Sequence, residues 1–120
     1  IGIFGLTVPL RTLVARQNLK GIVYMDAFAS ADKWADYLKN VEKCDLVIAL
    51  THLGYSGYPD QANDVALAKD SENIDIIIGG HSHTFLKTDR VYQNRVGRDV
   101  VVVQAGAQGE WVGRFDIDFK

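Results

Sequence analysis

The chain has 120 residues, of which 48% are hydrophobic and 23% are charged, and its formal net charge is −2. This composition is typical of a globular protein, and we expect residues 1–120 to belong to one domain. The small net charge and the scattered lysines and arginines argue against binding to nucleic acid. No apolar run approaches the roughly 20 residues that a membrane-spanning helix needs.

The chain has a single cysteine, Cys44, which excludes an internal disulfide and a cysteine-based zinc site. It begins at Ile1, inside an apolar run, and its first methionine is Met25. We therefore interpret the chain as an excised or processed segment of a longer protein.

The N-terminal part of the sequence predicts two short strands of a buried sheet. The first covers residues 1–6, an apolar run that ends before Pro9, which cannot continue a hydrogen-bonded ladder. Residues 10–21 have no clear pattern and predict a loop with a helical turn. The apolar triplet 22–24 predicts the second strand.

A helix is predicted over residues 31–43, with Ser30 as its N-cap. Four large side chains recur at the spacing of one helical face, and we expect this face to pack in the core. The four residues are Trp34, Tyr37, Leu38 and Val41.

The middle of the chain continues the alternation of strands and helices. A strand over 46–50 precedes a loop at 54–59 that is rich in turn-forming residues. Asp60 is the predicted N-cap of a second helix that ends near Lys69, and a buried strand follows at 74–78. The inward-facing residues of the second helix are expected to be Ala62, Val65 and Ala66.

The C-terminal part of the sequence predicts antiparallel structure. Residues 91–93 and 99–104 flank a polar turn and predict a hairpin, and the alternation within 111–119 predicts a final strand. Because continuous apolar strands alternate with helices before the hairpin, we expect an α/β fold, a mixed β-sheet with helices packed on it.

All three histidines of the chain follow predicted buried strands. His52 comes just after one strand, and His81 and His83 come just after Gly79 and Gly80, which end the next. Open α/β sheets bind ligands beyond the carboxyl ends of their strands, and neutral imidazole is a common metal ligand. The two glycines would let the chain curl and bring three imidazoles into one cleft. By donor type, such a site suits Zn²⁺, Mn²⁺, Fe or Ni.

The two histidine motifs resemble the last two motifs of the calcineurin-like metallophosphoesterases. They are Thr51-His52-Leu53-Gly54 and Gly79-Gly80-His81-Ser82-His83-Thr84, each after an apolar strand. Residues 1–7, 103–106 and 111–113 add further similarity to the 5′-nucleotidase branch of that family. The resemblance covers nearly the whole chain.

The resemblance implies half of a four-layer α/β/β/α sandwich, with residues 1–120 as the C-terminal part of a metallophosphoesterase domain. It implies two divalent metal ions (Zn, Mn or Fe), with His52 and His81 as ligands of the second ion and His83 as a ligand of the first. The implied reaction is hydrolysis of a nucleotide or other small phosphoester by a metal-activated water. The resemblance also implies an extracytoplasmic location, in the periplasm or at the cell surface.

The earlier motifs of the family, Asp-x-His, Gly-Asp and Gly-Asn-His-Glu/Asp, do not occur in this sequence. We therefore expect the catalytic residues to lie upstream of Ile1, and we expect none in this segment. The upstream half of the domain is then the expected partner of this chain. Three imidazoles without a bridging carboxylate should hold metal weakly, so the chain alone is expected to be inactive. An unpaired sheet edge would favour its self-association.

Two other interpretations of the sequence stay open. The chain can be a non-catalytic α/β binding module that has kept the sheet and lost the reaction. It can also be an unrelated α/β domain with a single zinc ion on His52, His81 and His83. Within the hydrolase interpretation, 5′-nucleotidases, cyclic-nucleotide phosphodiesterases and nucleotide-sugar hydrolases are not separated by these motifs.

Overall fold

The computed structural model describes residues 1–57 and 61–119. Within them one mixed sheet has the strand order β1-β2-β3-β5-β4, in which β4 is antiparallel to β5 and all other pairs are parallel. The predicted mixed sheet with packed helices is thereby confirmed, as is the hairpin formed by its last two strands. The strands are β1 (Gly2–Thr7), β2 (Val47–His52), β3 (Ile76–Ile78), β4 (Arg90–Gln93) and β5 (Asp99–Val103).

Two α-helices connect the parallel strands in the described residues. The first, α1, covers Ala27–Asp36 and continues as a π-helical turn over Tyr37–Val41, and the second, α2, covers Asp64–Asp70. Short 3₁₀ turns at Leu10–Thr12 and Arg16–Leu19 occupy the segment predicted as a loop with a helical turn. No helix in the described part of the chain has the length and hydrophobicity to cross a membrane.

The first helix begins earlier than predicted and presents a different face to the sheet. Its N-cap is Asp26 rather than Ser30, and its buried residues are three alanines at positions 27, 31 and 35. Small side chains allow the helix to lie close to the sheet, and Leu38 packs directly over Gly2 of β1. The other members of the predicted face are 47%, 41% and 62% exposed; they are Trp34, Tyr37 and Val41.

The second helix also starts at a different residue. Its N-cap is Asn63, whose Oδ1 accepts a hydrogen bond from the backbone N–H of Ala66 at 2.9 Å. The predicted cap, Asp60, lies outside the described residues. Because the helix starts at Asp64, its fully buried residues are Asp64, Leu67 and Ala68. The predicted inward residues Ala62, Val65 and Ala66 are only partly buried, and Ala62 packs against the core from outside the helix.

Two segments predicted as strands are not strands. Residues 22–24 and 111–119 form no ladder with the sheet, and Val23 and Val112 are 83% and 95% exposed. The apolar pattern of these segments was sufficient to suggest strands, but a strand also needs a neighbouring strand that can accept its backbone hydrogen bonds.

The two faces of the sheet have different environments. The face that packs on the helices carries Ala49 and Ile77, which are neighbours in the ladder and fully buried. On the opposite face, Leu50 and Ile78 are also ladder neighbours, yet they are 45% and 40% exposed, and Ile3 is 57% exposed. The second face therefore presents apolar side chains to solvent, Leu50 and Ile78 near the carboxyl ends of β2 and β3 and Ile3 near the start of β1.

Candidate metal centre

The structure brings two of the three histidines together. His52 is the last residue of β2, and His81 lies on the turn that follows β3, the neighbouring parallel strand. Their ring centroids are 5.0 Å apart with an interplanar angle of 67°, and both residues are exposed. Two imidazoles at this separation, exposed at the carboxyl ends of neighbouring strands, have the donor type and the access that a shared divalent cation requires.

His83 lies on the same turn as His81 and is exposed. In the described residues, no three His, Cys, Asp or Glu side chains form a group that could hold a metal ion. The expected convergence of three imidazoles is thus not observed, and among the residues that the structure describes, neither His83 nor a carboxylate joins His52 and His81 in such a group.

The turn after β3 curls at its histidines rather than at its glycines. His81 and His83 have φ angles of 75° and 55°, in the left-handed region. Gly79 and Gly80, which were expected to provide the curl, instead allow close packing. A Cβ at Gly79 would overlap with Oδ2 of Asp64, and one at Gly80 would lie 3.2 Å from Nδ1 of His52.

A buried carboxyl group supports the end of β2. Asp64 is fully buried at the start of α2, and its Oδ1 accepts a hydrogen bond from Oγ1 of Thr51 at 2.5 Å. Its Oδ2 has no hydrogen-bond partner among the residues that the structure describes. Burial raises the pKa of Asp64 to about 6, although the hydrogen bond from Thr51 acts in the opposite direction. This contact fixes the residue before His52.

Sequence reasoning missed Asp64, and it also missed Gln104. Gln104 follows β5 directly, is 3% exposed, and contacts the histidine-bearing turn through its side-chain amide. A polar residue at the end of an apolar strand was a visible signal for Gln104. Asp64 had no such signal, since its partners are defined only by the packing of α2 on the sheet.

A shallow cavity of about 520 Å³ lies beside His52, at the carboxyl ends of β1 and β2. Its lining combines His52 with apolar side chains such as Leu50 and Ile78. The lining residues are Gly5, Leu6, Thr7, Leu50, Thr51, His52 and Ile78.

Comparison with known proteins identifies relatives along the whole chain. It is 36% identical over 119 residues to the trifunctional nucleotide phosphoesterase protein YfkN of Bacillus subtilis, covering 99% of this chain and 8% of that protein. It is 31% identical over 134 residues to the 5′-nucleotidase of Mus musculus, covering 99% of this chain and 22% of the mouse protein.

The fold is also similar to that of a solved structure. The 5′-nucleotidase precursor from Thermus thermophilus matches 70% of this chain and 18% of its own length, with a TM-score of 0.60 and 31% identity. The chain thus spans less than a quarter of the length of each of these relatives.

The family profile described as calcineurin-like phosphoesterase matches residues 6–85, which is most of the chain. The matched range extends from β1 through β3 and includes His52, His81 and His83. The resemblance found in the histidine motifs is therefore confirmed, and the chain belongs to the calcineurin-like phosphoesterase family.

Proposed function

We propose that this chain is the C-terminal part of a metallophosphoesterase domain that hydrolyses nucleotide-type phosphoesters, as a 5′-nucleotidase does. Membership of the family and the names of the relatives support phosphoester hydrolysis as the reaction of the complete protein. The observation that carries the proposal is the pair His52 and His81, 5.0 Å apart at the carboxyl ends of adjacent parallel strands.

In this proposal the three histidines are divided between two divalent cations, Zn, Mn or Fe. His52 and His81 hold one ion together, and His83 contributes to the other. The closeness of the first two rings supports this division. When bound by these residues and those of the rest of the domain, two such ions would supply positive charge for the phosphate oxygens and a water molecule of lowered pKa as the nucleophile.

The residues of this chain fit one part of such a centre and lack another. Imidazole donors suit each of the proposed metals, and the missing Cβ of Gly80 leaves room beside Nδ1 of His52. No carboxylate lies with the pair in the described residues. We therefore propose that the upstream half of the domain supplies the carboxylates and the other catalytic groups, and that this chain alone is inactive.

The surroundings of the pair support a role in substrate binding. The cavity beside His52 is open, so a phosphoester can reach the metal ligands from solvent. Its apolar lining, which includes Leu50 and Ile78, is suited to contact with the remaining domain or with an uncharged part of the substrate. Export from the cytoplasm belongs to the same proposal and rests on the family resemblance.

The test is a Zn²⁺ titration of the chain followed by NMR, because three histidines give three resolvable sets of imidazole signals. We expect the His52 and His81 signals to shift together with one dissociation constant. H52A should weaken the response of His81, and H81A should weaken that of His52. H83A should leave both responses unchanged, as should Q93A, a control at an exposed residue of β4.

Each alternative predicts a different result in the same titration and in an assay with adenosine monophosphate. One tightly bound zinc ion that shifts all three histidines would favour the mononuclear zinc domain. No response from any histidine would contradict the proposed metal role and favour the binding module. Metal-dependent hydrolysis by the chain alone would contradict the proposal that the site is incomplete.

A further inference from the structure

The turn that carries His81 and His83 is attached to β5 at both of its ends. The backbone N–H of Gly79 donates to the carbonyl of Val103 at 2.8 Å, and that of Leu86 donates to the carbonyl of Gln104 at 3.0 Å. Residues 79–86 therefore form a closed loop whose base is the end of β5. The buried side chain of Gln104 lies inside this loop.

Gln104 makes hydrogen bonds to three alternate residues of the turn. Its Nε2 donates to the carbonyl of Gly80 at 3.2 Å. Its Oε1 accepts from Oγ of Ser82 at 3.1 Å and from the backbone N–H of Thr84 at 2.6 Å. The residues between these contacts are His81 and His83, so each histidine has a fixed residue on both sides.

The backbone of the turn needs such support. Positive φ angles are disfavoured for residues with a Cβ, and here two occur within three residues, 75° at His81 and 55° at His83. A conformation of this kind persists only where surrounding contacts determine it. The three hydrogen bonds of Gln104 hold the residues that flank His81 and His83, so they can stabilise this conformation.

The contacts require a side chain that can donate and accept hydrogen bonds at the same time. Gly80 offers a carbonyl, which needs a donor, whereas Thr84 offers an N–H, which needs an acceptor. A glutamine provides both groups, an ionised glutamate provides only acceptors, and a methionine of similar size provides no strong partner for either.

The same network reaches the loop that follows His52. Oγ of Ser82 accepts a hydrogen bond from the backbone N–H of Tyr55 at 2.9 Å, while it contacts Oε1 of Gln104. The end of β5, the turn after β3 and the loop after β2 are thus connected through two side chains.

From these contacts we infer that Gln104 is a positioning residue that sets the backbone conformation of His81 and His83 and so presents their imidazoles to metal. The inference rests on the proposed function only in treating the two histidines as metal ligands. Gln104 itself is buried, and it acts through the turn.

The experiment compares the wild-type chain with Q104M and Q104E by NMR, first without metal. Intraresidue N–H to Hα contacts report positive φ at His81 and His83, and hydrogen exchange reports protection of the Thr84 N–H. We expect both variants to lose these signals near neutral pH. Lowering the pH should restore them in Q104E alone, because the protonated carboxyl can donate to Gly80.

A Zn²⁺ titration then measures the consequence for metal binding. Loss of a residue that orients metal ligands weakens metal affinity by about 10-fold to 100-fold, and we expect at least the lower value for Q104M. Two controls are V47A, a core substitution at the opposite end of β2, and Q93M, the same change at an exposed glutamine. Both should keep the wild-type turn and affinity.

The inference is overturned if His81 and His83 keep positive φ in Q104M, or if the wild-type turn lacks it. It is also overturned if V47A weakens zinc binding as much as Q104M does, since a general loss of stability would then explain the weaker binding in both variants. Absence of zinc binding by the wild-type chain would contradict the proposed function instead. In that case the metal-free signals still decide the role of Gln104.

Discussion

The carboxyl group of Asp64 is located where ionisation is unfavourable. It is fully buried, one of its oxygens has a single donor in Thr51, and the other has no partner in the described chain. Removal from water raises its pKa from 3.8 to about 6. Because the folded state then binds this proton more tightly than the unfolded chain, the contribution of Asp64 to stability decreases as the pH rises through this interval.

Asp64→Asn should remove this pH dependence. A difference of about 2 pKa units corresponds to about 3 kcal/mol, so we expect wild type to lose roughly 2–3 kcal/mol relative to D64N between pH 4 and pH 7. Urea unfolding at several pH values measures the difference. D70N, at an exposed position of the same helix, should lose the same stability as wild type over this pH range. Parallel curves for wild type and D64N would show that the pKa is not raised.

At the scale of residues, the sequence located the histidines but not the groups that support them. His52, His81 and His83 belong to short motifs, which a linear sequence displays directly. Asp64 and Thr51 are 13 residues apart, and Gln104 is 22 residues from Ser82. Such pairs depend on which strands become neighbours, and no local pattern encodes that choice.

At the scale of elements, the five strands and two helices of the sheet were predicted in their correct order, but two further strands, at 22–24 and 111–119, were wrong, as were the starts of both helices. Ser30 and Asp26 are both good N-cap residues, and the large side chains that follow Ser30 favoured the later start. The helix in fact begins at Ala27, because three alanines at positions 27, 31 and 35 allow closer packing than the large side chains would. Bulk was a misleading guide to burial here.

The start of α1 can be tested with two alanine substitutions. Oδ1 of Asp26 accepts a hydrogen bond from the N–H of Ala29 at 2.8 Å, so D26A should reduce the free energy of unfolding by about 1 kcal/mol. Ser30 lies inside the helix, where alanine has the higher helix propensity, so S30A should be neutral or stabilising by up to about 0.5 kcal/mol. Thermal or urea unfolding provides both values. If S30A reduces the free energy of unfolding more than D26A does, Ser30 rather than Asp26 is the N-cap.

At the scale of the whole molecule, the described chain forms two layers, helices and sheet, and the second sheet face is only partly covered. The family resemblance implies a further sheet packed on that face, within a four-layer sandwich. The exposed apolar residues Ile3, Leu50 and Ile78 are consistent with that arrangement. Contiguous apolar surface of this kind promotes association when it has no partner. In the part of the chain that the structure describes, β1 and β4 are the edge strands of the sheet and add unpaired backbone groups.

We therefore expect the purified chain to self-associate through this face, in a manner that depends on its concentration. The triple variant I3T/L50T/I78T should weaken association by roughly 10-fold or more, because threonine keeps the preference for strands while removing apolar area. Sedimentation velocity over a range of concentrations measures the change. V23T/V112T, which alters equally apolar residues away from the sheet, is the matched control and should associate like wild type.

If the control weakens association as strongly as the triple variant, the contact lies outside the sheet face. A monomeric wild-type chain would show that this face is stable in water without a second layer.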